Sequence, residues 1–516
     1  MEVVGFVARG MGWAIKALFV SLFWLFSTLG RTVYRVVKPR STTFGSARWA
    51  HFREILFSGT LGGNGLIVGR TRWGFLRFNR DGYALLFAPT RSGKGTGIVV
   101  PNLLTYQGSV ICTDPKGENH AITGRWRTKL GKVVTLNATR PELSDRFNPL
   151  DMVRIGTYHE ADDALELAKL LVIPDSSNGG HWDNRATQLI QNLILYVCLR
   201  YRDQPELRNL AKVRSLVALG ASELKAVLED AQTVGSTSLR EGVTAFRANA
   251  DSEETKSVMS NVDKALSLWA ADRPCGMISL TSTFDFRDFN RKVMTCYLIV
   301  DEGKLAIYAG FLRVMMGCML MAMTRAKEEA PPKVPTLLLL DEAAAMGRIE
   351  PLETGIGYLA SYARLLLVFQ DLDQLERTYP KARSMVANAA CQIAFNVNDI
   401  STAKMLADSI GQRTITSHSA GQSRHHTNLI DHQRNENMSE ASRYLIDPSE
   451  LMRLHPSRSI VFMKGAVRHP IRARKIRYHR NWRWRARWDT WRPARGEVVP
   501  FPATDRAEAS DVQPAA

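Results

Sequence analysis

The chain has 516 residues, 45% of them hydrophobic and 23% charged, so a sizeable core and two or three domains are expected. The net charge is +18, and Arg468 to Arg495 alone holds eleven Lys/Arg against one acid, Asp489, so the basicity gathers near the C-terminus. Cys112, Cys198, Cys275, Cys296, Cys318 and Cys391 lie far apart with no CxxC pair, which argues against disulfides or zinc and for buried, reduced thiols.

Met11 to Leu29 is apolar apart from Lys16 and scattered Ser/Thr, and its 19 residues suit one membrane span. Arg31, Arg35, Lys38 and Arg40 follow at once, and that positive bias predicts a cytoplasmic location for everything after residue 30. An amphipathic surface helix is the alternative, because Arg9 and Lys16 could share a face. From Leu66 to Leu136 short apolar runs alternate with polar turns, the pattern of strands entering an α/β sheet.

Within that stretch lies Ala84 to Gly97, ALLFAPTRSGKGTG. A strand-like run breaks at Pro89, passes Thr90, Arg91 and Ser92, and reaches Gly93, Lys94, Gly95 and Thr96 before a helical stretch. A strand, a glycine-rich turn and a helix can cradle phosphate with backbone N–H groups, with one lysine reaching the β/γ-phosphates of ATP. The pattern departs from the usual loop at Ala88, where glycine is expected, and at Gly95, where the Mg²⁺-binding hydroxyl is expected, with Thr96 one step late. Taken alone, these residues are equally a flexible turn. Ser109 to Thr113 is a further strand, ending in Asp114-Pro115-Lys116-Gly117-Glu118 near the same edge.

From about Thr157 to Ala271 the apolar residues recur at helical spacing, and the segment reads as an all-helical insert. Strands resume at Cys296 to Val300, and Leu305 to Met323 reads as a buried crossover helix, not a second span. Thr336 to Ala345, TLLLLDEAAA, is a buried strand ending in Asp341-Glu342. At a strand tip Asp341 can hold Mg²⁺ and Glu342 can polarise an attacking water; two solvated acids capping a strand is the bland alternative. Gln370 ends the strand Leu365 to Phe369, where an amide senses a γ-phosphate or merely ends a strand. Thr414 to Ser439 is polar and reads as an exposed loop, although His418, His425, His426 and His432 raise metal binding. Ser459 to Met463 is a last strand. In Arg474 to Arg495, Trp482, Trp484, Trp488 and Trp491 interleave with arginines, a composition suited to single-stranded nucleic acid or to a membrane surface. After Pro493 the chain reads as disordered.

With these motifs placed, the chain resembles the type IV coupling proteins of bacterial conjugation and type IV secretion, the TraG/VirD type. The likeness rests on FGSARWA (Phe44 to Ala50), APTRSGKGTGIVVPNLL (Ala88 to Leu104), DPKGE (Asp114 to Glu118) and HWDNRA (His181 to Ala186). LLLLDEAAAMGRIEPLE (Leu337 to Glu353), LLLVFQDLDQLERTYP (Leu365 to Pro380) and the run from Asp447 to Tyr478 complete it, in consistent order. The resemblance implies an α/β fold: a RecA-like P-loop ATPase domain with an inserted all-helical domain and an N-terminal transmembrane helix. It divides the chain into a membrane anchor (1–40), a nucleotide-binding domain in two stretches (41–156, with the phosphate loop, and 273–480, with the acidic strand), the helical insert between them (157–272) and a basic Trp-rich, then disordered tail (481–516).

It further implies ATP and Mg²⁺ as cofactors and an inner-membrane hexamer. The implied partners are single-stranded DNA, relaxase and relaxosome proteins, and the ATPases and inner-membrane components of the secretion channel. Pro89 to Thr96 would bind nucleotide, with Lys94 the phosphate-loop lysine, Asp341 and Thr96 on the metal, Glu342 the base and Gln370 the sensor. Family members often carry two membrane helices, and here one is found. Arg348 and Arg364 are candidate arginine fingers or structural, salt-bridged arginines. A non-hydrolysing membrane receptor that recruits substrates is the competing reading. A double-stranded DNA translocase is a third, disfavoured by the lack of a C-terminal winged-helix-like pattern.

Overall fold

The computed structural model describes residues 42–173, 180–219, 221–247, 253–326, 332–359, 362–422 and 434–491, and in them thirteen strands form, those of the parallel half from leucine, valine and isoleucine runs flanked by turns. In chain order they are β1 (Leu66–Arg70), β2 (Phe75–Phe78), β3 (Tyr83–Phe87), β4 (Val110–Asp114), β5 (Lys132–Asn137), β6 (Met294–Ile299) and β7 (Thr336–Leu340). Then follow β8 (Ala363–Phe369), β9 (Cys391–Ala394), β10 (Gln412–Gln422), β11 (Arg434–Tyr444), β12 (Arg458–Met463) and β13 (Val467–Arg474). The anticipated span Met11 to Leu29 and the end beyond Pro493 lie outside the described residues. Among the described residues no helix is long and apolar enough to cross a membrane.

The contacts divide the chain into two compact units, Trp49–Leu406 with the segment from Pro448 onward, and the residues up to Arg48 with Ala407–Asp447. The first unit holds an eleven-stranded sheet in the order β2-β1-β13-β12-β9-β3-β8-β7-β4-β6-β5. From β9 to β5 all neighbours are parallel. Strands β3, β4, β6 and β7 are buried at every position, as a parallel strand covered on both faces must be, which explains their unbroken apolar runs. Beyond β9 the strands β12, β13, β1 and β2 pair antiparallel. This wing is half solvated: in β13 buried Ile471 and Ala473 alternate with exposed Arg472 and Arg474.

Between β5 and β6 the described residues hold no strand. The long helices there are Glu160–Leu171, His181–Arg200, Thr237–Arg247 and Glu253–Leu266. The apolar run between β6 and β7 is a buried helix, Ala309–Arg325. Its one interior cation, Arg313, is tolerated because its guanidinium donates to the carbonyls of Leu170 (2.7 Å) and Leu171 (3.2 Å). All six cysteines are buried and unpaired.

In the second unit β10 and β11 form an antiparallel pair from Gln412↔Tyr444 to Gln422↔Arg434. Residues Thr414 to Ser439, read from composition as a loop, are therefore strand over much of their length. A ladder held by backbone hydrogen bonds, polar on both faces, leaves no period-2 hydrophobic signal. This segment falls in the second unit. No cluster of three or more metal-binding side chains occurs among the described residues; His425, His426 and His432 lie outside them.

Candidate nucleotide site at the sheet edge

Strand β3 lies between β9 and β8, and the ladder continues one step past its end, where Ala88 N–H donates to the Phe369 carbonyl at 2.9 Å. Pro89 has no N–H to extend it. The chain turns with Ser92 N–H on the Pro89 carbonyl (3.2 Å), through positive φ at Arg91 (57°) and Gly93 (86°). Gly97 N–H then meets the Gly93 carbonyl at 2.8 Å, and one wide helical turn, Gly95–Val99, leads into the helix Val100–Thr105. A Cβ placed on Gly93 or Gly95 would meet nothing within 4 Å, so the space over the loop is open. Thr96 is half-buried in this wide turn.

Asn102 fixes the helix behind the loop. Its fully buried amide accepts from Ile67 N–H (2.7 Å) and donates to the carbonyls of Ile67 and Ile98 (2.8 Å each). The asparagine in the PNLL run thus ties the loop helix to β1.

The acidic tip of β7 faces this loop. Thr113 Oγ1 at the end of β4 donates to the Asp341 carbonyl at 2.6 Å, holding the two tips together. Glu342 takes the left-handed conformation (φ 58°, ψ 52°), a strained backbone state of the kind that clusters at working sites. Lys94 Nζ lies 3.2 Å from Asp341 Oδ1 and also donates to Glu342 Oε1. Gln370, at the tip of β8, donates from Nε2 to Glu342 Oε2 at 3.2 Å, while its own N–H is held by Gln374 Oε1 at 2.8 Å. Lys94, Asp341, Glu342 and Gln370, far apart in the chain, therefore form one cluster, to which the segment Pro89 to Thr96 contributes the Lys94 ammonium.

Burial by itself would lower the Lys94 ammonium, but the Asp341 and Glu342 carboxylates outweigh it and hold its pKa above the ordinary value. Nearby Asp114 is pushed up to about 7, chiefly by burial, although the N–H groups of Asn119 and His120 donate to its carboxylate (3.2 and 2.8 Å). Ser92 Oγ is buried without a hydrogen-bond partner. An orphaned hydroxyl, an open glycine-lined space, a buried ammonium and a carboxylate at a strand tip fit a nucleotide phosphate with a divalent cation. Arg348 is bound to Glu353 (2.8 Å) and Arg364 donates to the Arg80 carbonyl, so both have structural partners within this chain.

Two features here were not legible in the sequence. Lys475, just past β13, donates to the Ser92 carbonyl of the loop (2.7 Å) and to Asn396 Oδ1 (2.9 Å), and burial pushes its ammonium down to about 8. In the sequence it is one cation among eleven. The tryptophan stretch, read as a tail, is instead folded down as far as it is described. Trp484 is buried, stacks on Phe75 with centroids 5.1 Å apart, and joins Ile67, Val100, Leu104, Ile122 and Ile476 in a cluster. Trp488 and Trp491 pack against that cluster, and Arg125 pairs with Asp489 at 2.8 Å. Only Trp482 of the four stands out, 79% exposed.

Residues 48–502 match the family described as type IV secretory system conjugative DNA transfer. The chain is 28% identical over 474 residues to the conjugal transfer protein TraG of Escherichia coli, covering 83% of this chain and 74% of the relative. It is likewise 28% identical over 454 residues to VirD4 of Rhizobium rhizogenes, covering 84% and 65%. The plasmid coupling protein TrwB, solved with the ATP analogue ADPNP, superposes with a TM-score of 0.63 at 14% identity, over 85% of this chain and 95% of that one. TrwB solved with ADP and Mg²⁺ gives 0.60, also at 14% identity, over 84% and 94%. The sheet and its loop are thus of the coupling-protein fold. By sequence and by fold, the chain belongs to the type IV secretory system conjugative DNA transfer family.

Proposed function

We propose that this protein is a membrane-anchored ATPase that delivers relaxase-bound single-stranded DNA, and protein effectors, to a type IV secretion channel. The observation that carries the reading is the convergence of Lys94, Asp341, Glu342 and Gln370 at the edge of the parallel sheet. TrwB complexes with ADPNP and with ADP and Mg²⁺ support nucleotide as the ligand. Pro89 to Thr96 would hold the phosphates, and Asp341, with the Thr96 hydroxyl, the Mg²⁺. When bound, Mg²⁺ supplies positive charge that offsets the phosphate oxygens.

Lys94 is at present the partner of both acids. A phosphate oxygen offers it a competing anion, and its transfer to that anion leaves Glu342 free to accept a proton from water. Gln370, tethered to Glu342, orients the freed carboxylate. The family resemblance supports a hexamer working with relaxosome proteins and with the ATPases and inner-membrane components of the channel. Met11 to Leu29 would supply the single inner-membrane span, leaving the motor in the cytoplasm.

Gly95 in place of a hydroxyl, and the doubly paired Lys94, favour a second reading: a receptor that recruits substrates and binds nucleotide for assembly alone. ATP turnover by the full-length protein in detergent, with and without single-stranded DNA and beside Glu342→Gln, separates the two. DNA-stimulated turnover that the substitution abolishes supports the motor. Nucleotide binding with no turnover at any protein concentration establishes the receptor.

A further inference from the structure

The antiparallel wing carries a second charged feature at the same sheet edge, and the nucleotide chemistry does not use it. The register aligns Arg70 with Arg474 and Arg474 with Arg458, so three arginines stand in one row across β1, β13 and β12. Like charges directly opposite on neighbouring strands destabilise a sheet unless something offsets them. Arg477, Arg480 and Arg483 join them around a cleft of about 660 Å³ whose lining contains no carboxylate. Among the described residues none of these six guanidinium groups forms an ion pair.

The cleft also has a stacking surface. Trp484, clamped on Phe75, anchors the short helical turn Trp482–Trp484 and leaves the Trp482 indole at the rim, with the Arg483 guanidinium 5.4 Å from its ring centre. The floor is Lys475, whose ammonium is already committed to the Ser92 carbonyl of the phosphate loop. The next residue, Ile476, backs the loop directly, since a Cβ on Gly97 would lie 3.6 Å from its carbonyl oxygen.

We propose that this cleft is a binding site for single-stranded nucleic acid, its arginines taking successive phosphates and Trp482 stacking on a base, and that Lys475 links its floor to the phosphate loop. The combination fits a single strand better than a duplex because an exposed indole needs an unpaired base face. A lipid surface would engage the cations but would find no continuous apolar face beside them. The inference deepens the DNA-handling side of the proposed function and rests on it.

The test uses full-length protein in detergent and a labelled thirty-nucleotide oligo-dT, with binding followed by fluorescence anisotropy across salt concentrations. Arg477→Glu/Arg480→Glu should weaken binding at least tenfold and reduce the salt slope by about 1.4, the value for two phosphate contacts on a single strand. Trp482→Ala should cost about tenfold while leaving the salt slope unchanged. The affinity of both variants for an ATP analogue should match wild type, which also verifies their folding. Saturating oligo-dT should shift the wild-type affinity for the ATP analogue at least threefold, and Lys475→Met should abolish that shift; no shift in wild type, or an unchanged shift in the variant, overturns the link through Lys475.

Wild-type affinity in the cleft variants, with wild-type protein binding oligo-dT, overturns the cleft and leaves DNA handling standing. Failure of wild-type protein to bind any single strand overturns both. Loss of analogue affinity with unchanged oligonucleotide binding gives the arginines to the nucleotide and overturns the proposal. Loss of binding to phosphatidylserine vesicles, with unchanged oligonucleotide binding, gives them to the membrane and also overturns it.

Discussion

Two charged regions share one edge of the sheet and are built on opposite principles. At the tips of β3, β7 and β8 the charges are largely buried, and each has a partner: Lys94 with Asp341 and Glu342, and Glu342 with Gln370. On the β1–β13–β12 wing the arginines are mostly exposed, and among the described residues none of the six pairs with an acid. A charge taken out of water must be paired or it is prohibitively costly, whereas an exposed one is screened by solvent and salt and can wait for a partner from outside. The first arrangement is a closed circuit that a ligand must open, and the second is an open one that a ligand closes.

The contrast between the two regions is sharpest in catalysis. Glu342→Gln should lower the rate of ATP hydrolysis at least a hundredfold while leaving affinity for an ATP analogue within threefold, because the amide oxygen still accepts one of the two hydrogen bonds but cannot take a proton. Steady-state turnover beside equilibrium binding checks this, and a loss confined to binding would mean Glu342 only orders the loop.

The two tryptophans of one helical turn divide next. Trp484→Ala removes a buried ring from a packed cluster and should cost about 3 kcal/mol. Trp482→Ala touches an exposed ring and should stay within about 0.5 kcal/mol. Urea unfolding of the pair measures both, and equal effects would show that the stretch is not anchored as described.

Asn102→Ala takes the side-chain partner from the buried N–H and C=O of Ile67 and should cost about 2 kcal/mol. Because the loss falls behind the phosphate loop, analogue affinity should fall with it, which thermal unfolding and binding on the same sample can establish.

The smallest effect is in pH. The Asp114 carboxyl has its folded-state pKa raised to about 7, so its contribution to stability is full at acid pH and is lost as pH rises through 7. In nucleotide-free, magnesium-free protein, Asp114→Asn should therefore gain in melting temperature relative to wild type between pH 5 and pH 8. A constant difference across that range would place the carboxylate in a solvated environment.

Most of the parallel half was legible because its signals are local. Fully buried strands read as unbroken apolar runs, and the turns after them carry Pro, Gly and charged residues, so β3, β4, β7 and β8 and their terminal residues could be placed from the chain alone. The wing was harder. In β13 arginine alternates with small or aliphatic residues, and that composition describes an exposed basic segment as well as a half-solvated strand. Strands β10 and β11 carry no alternation to read.

The sequence by itself therefore determined where the parallel strands lie and, by their order along the chain, marked the glycine-rich loop and the Asp341-Glu342 pair as candidates, since unbroken apolar runs and the turns that end them are local signals. Only the tertiary structure decided that Trp484 is core while Trp482 is rim, that Lys475 belongs to the phosphate loop, and that three arginines stand in one row. Those facts depend on register and on which ring finds Phe75, and a pattern of Trp and Arg is the same string whether it packs on its own fold or waits for another molecule.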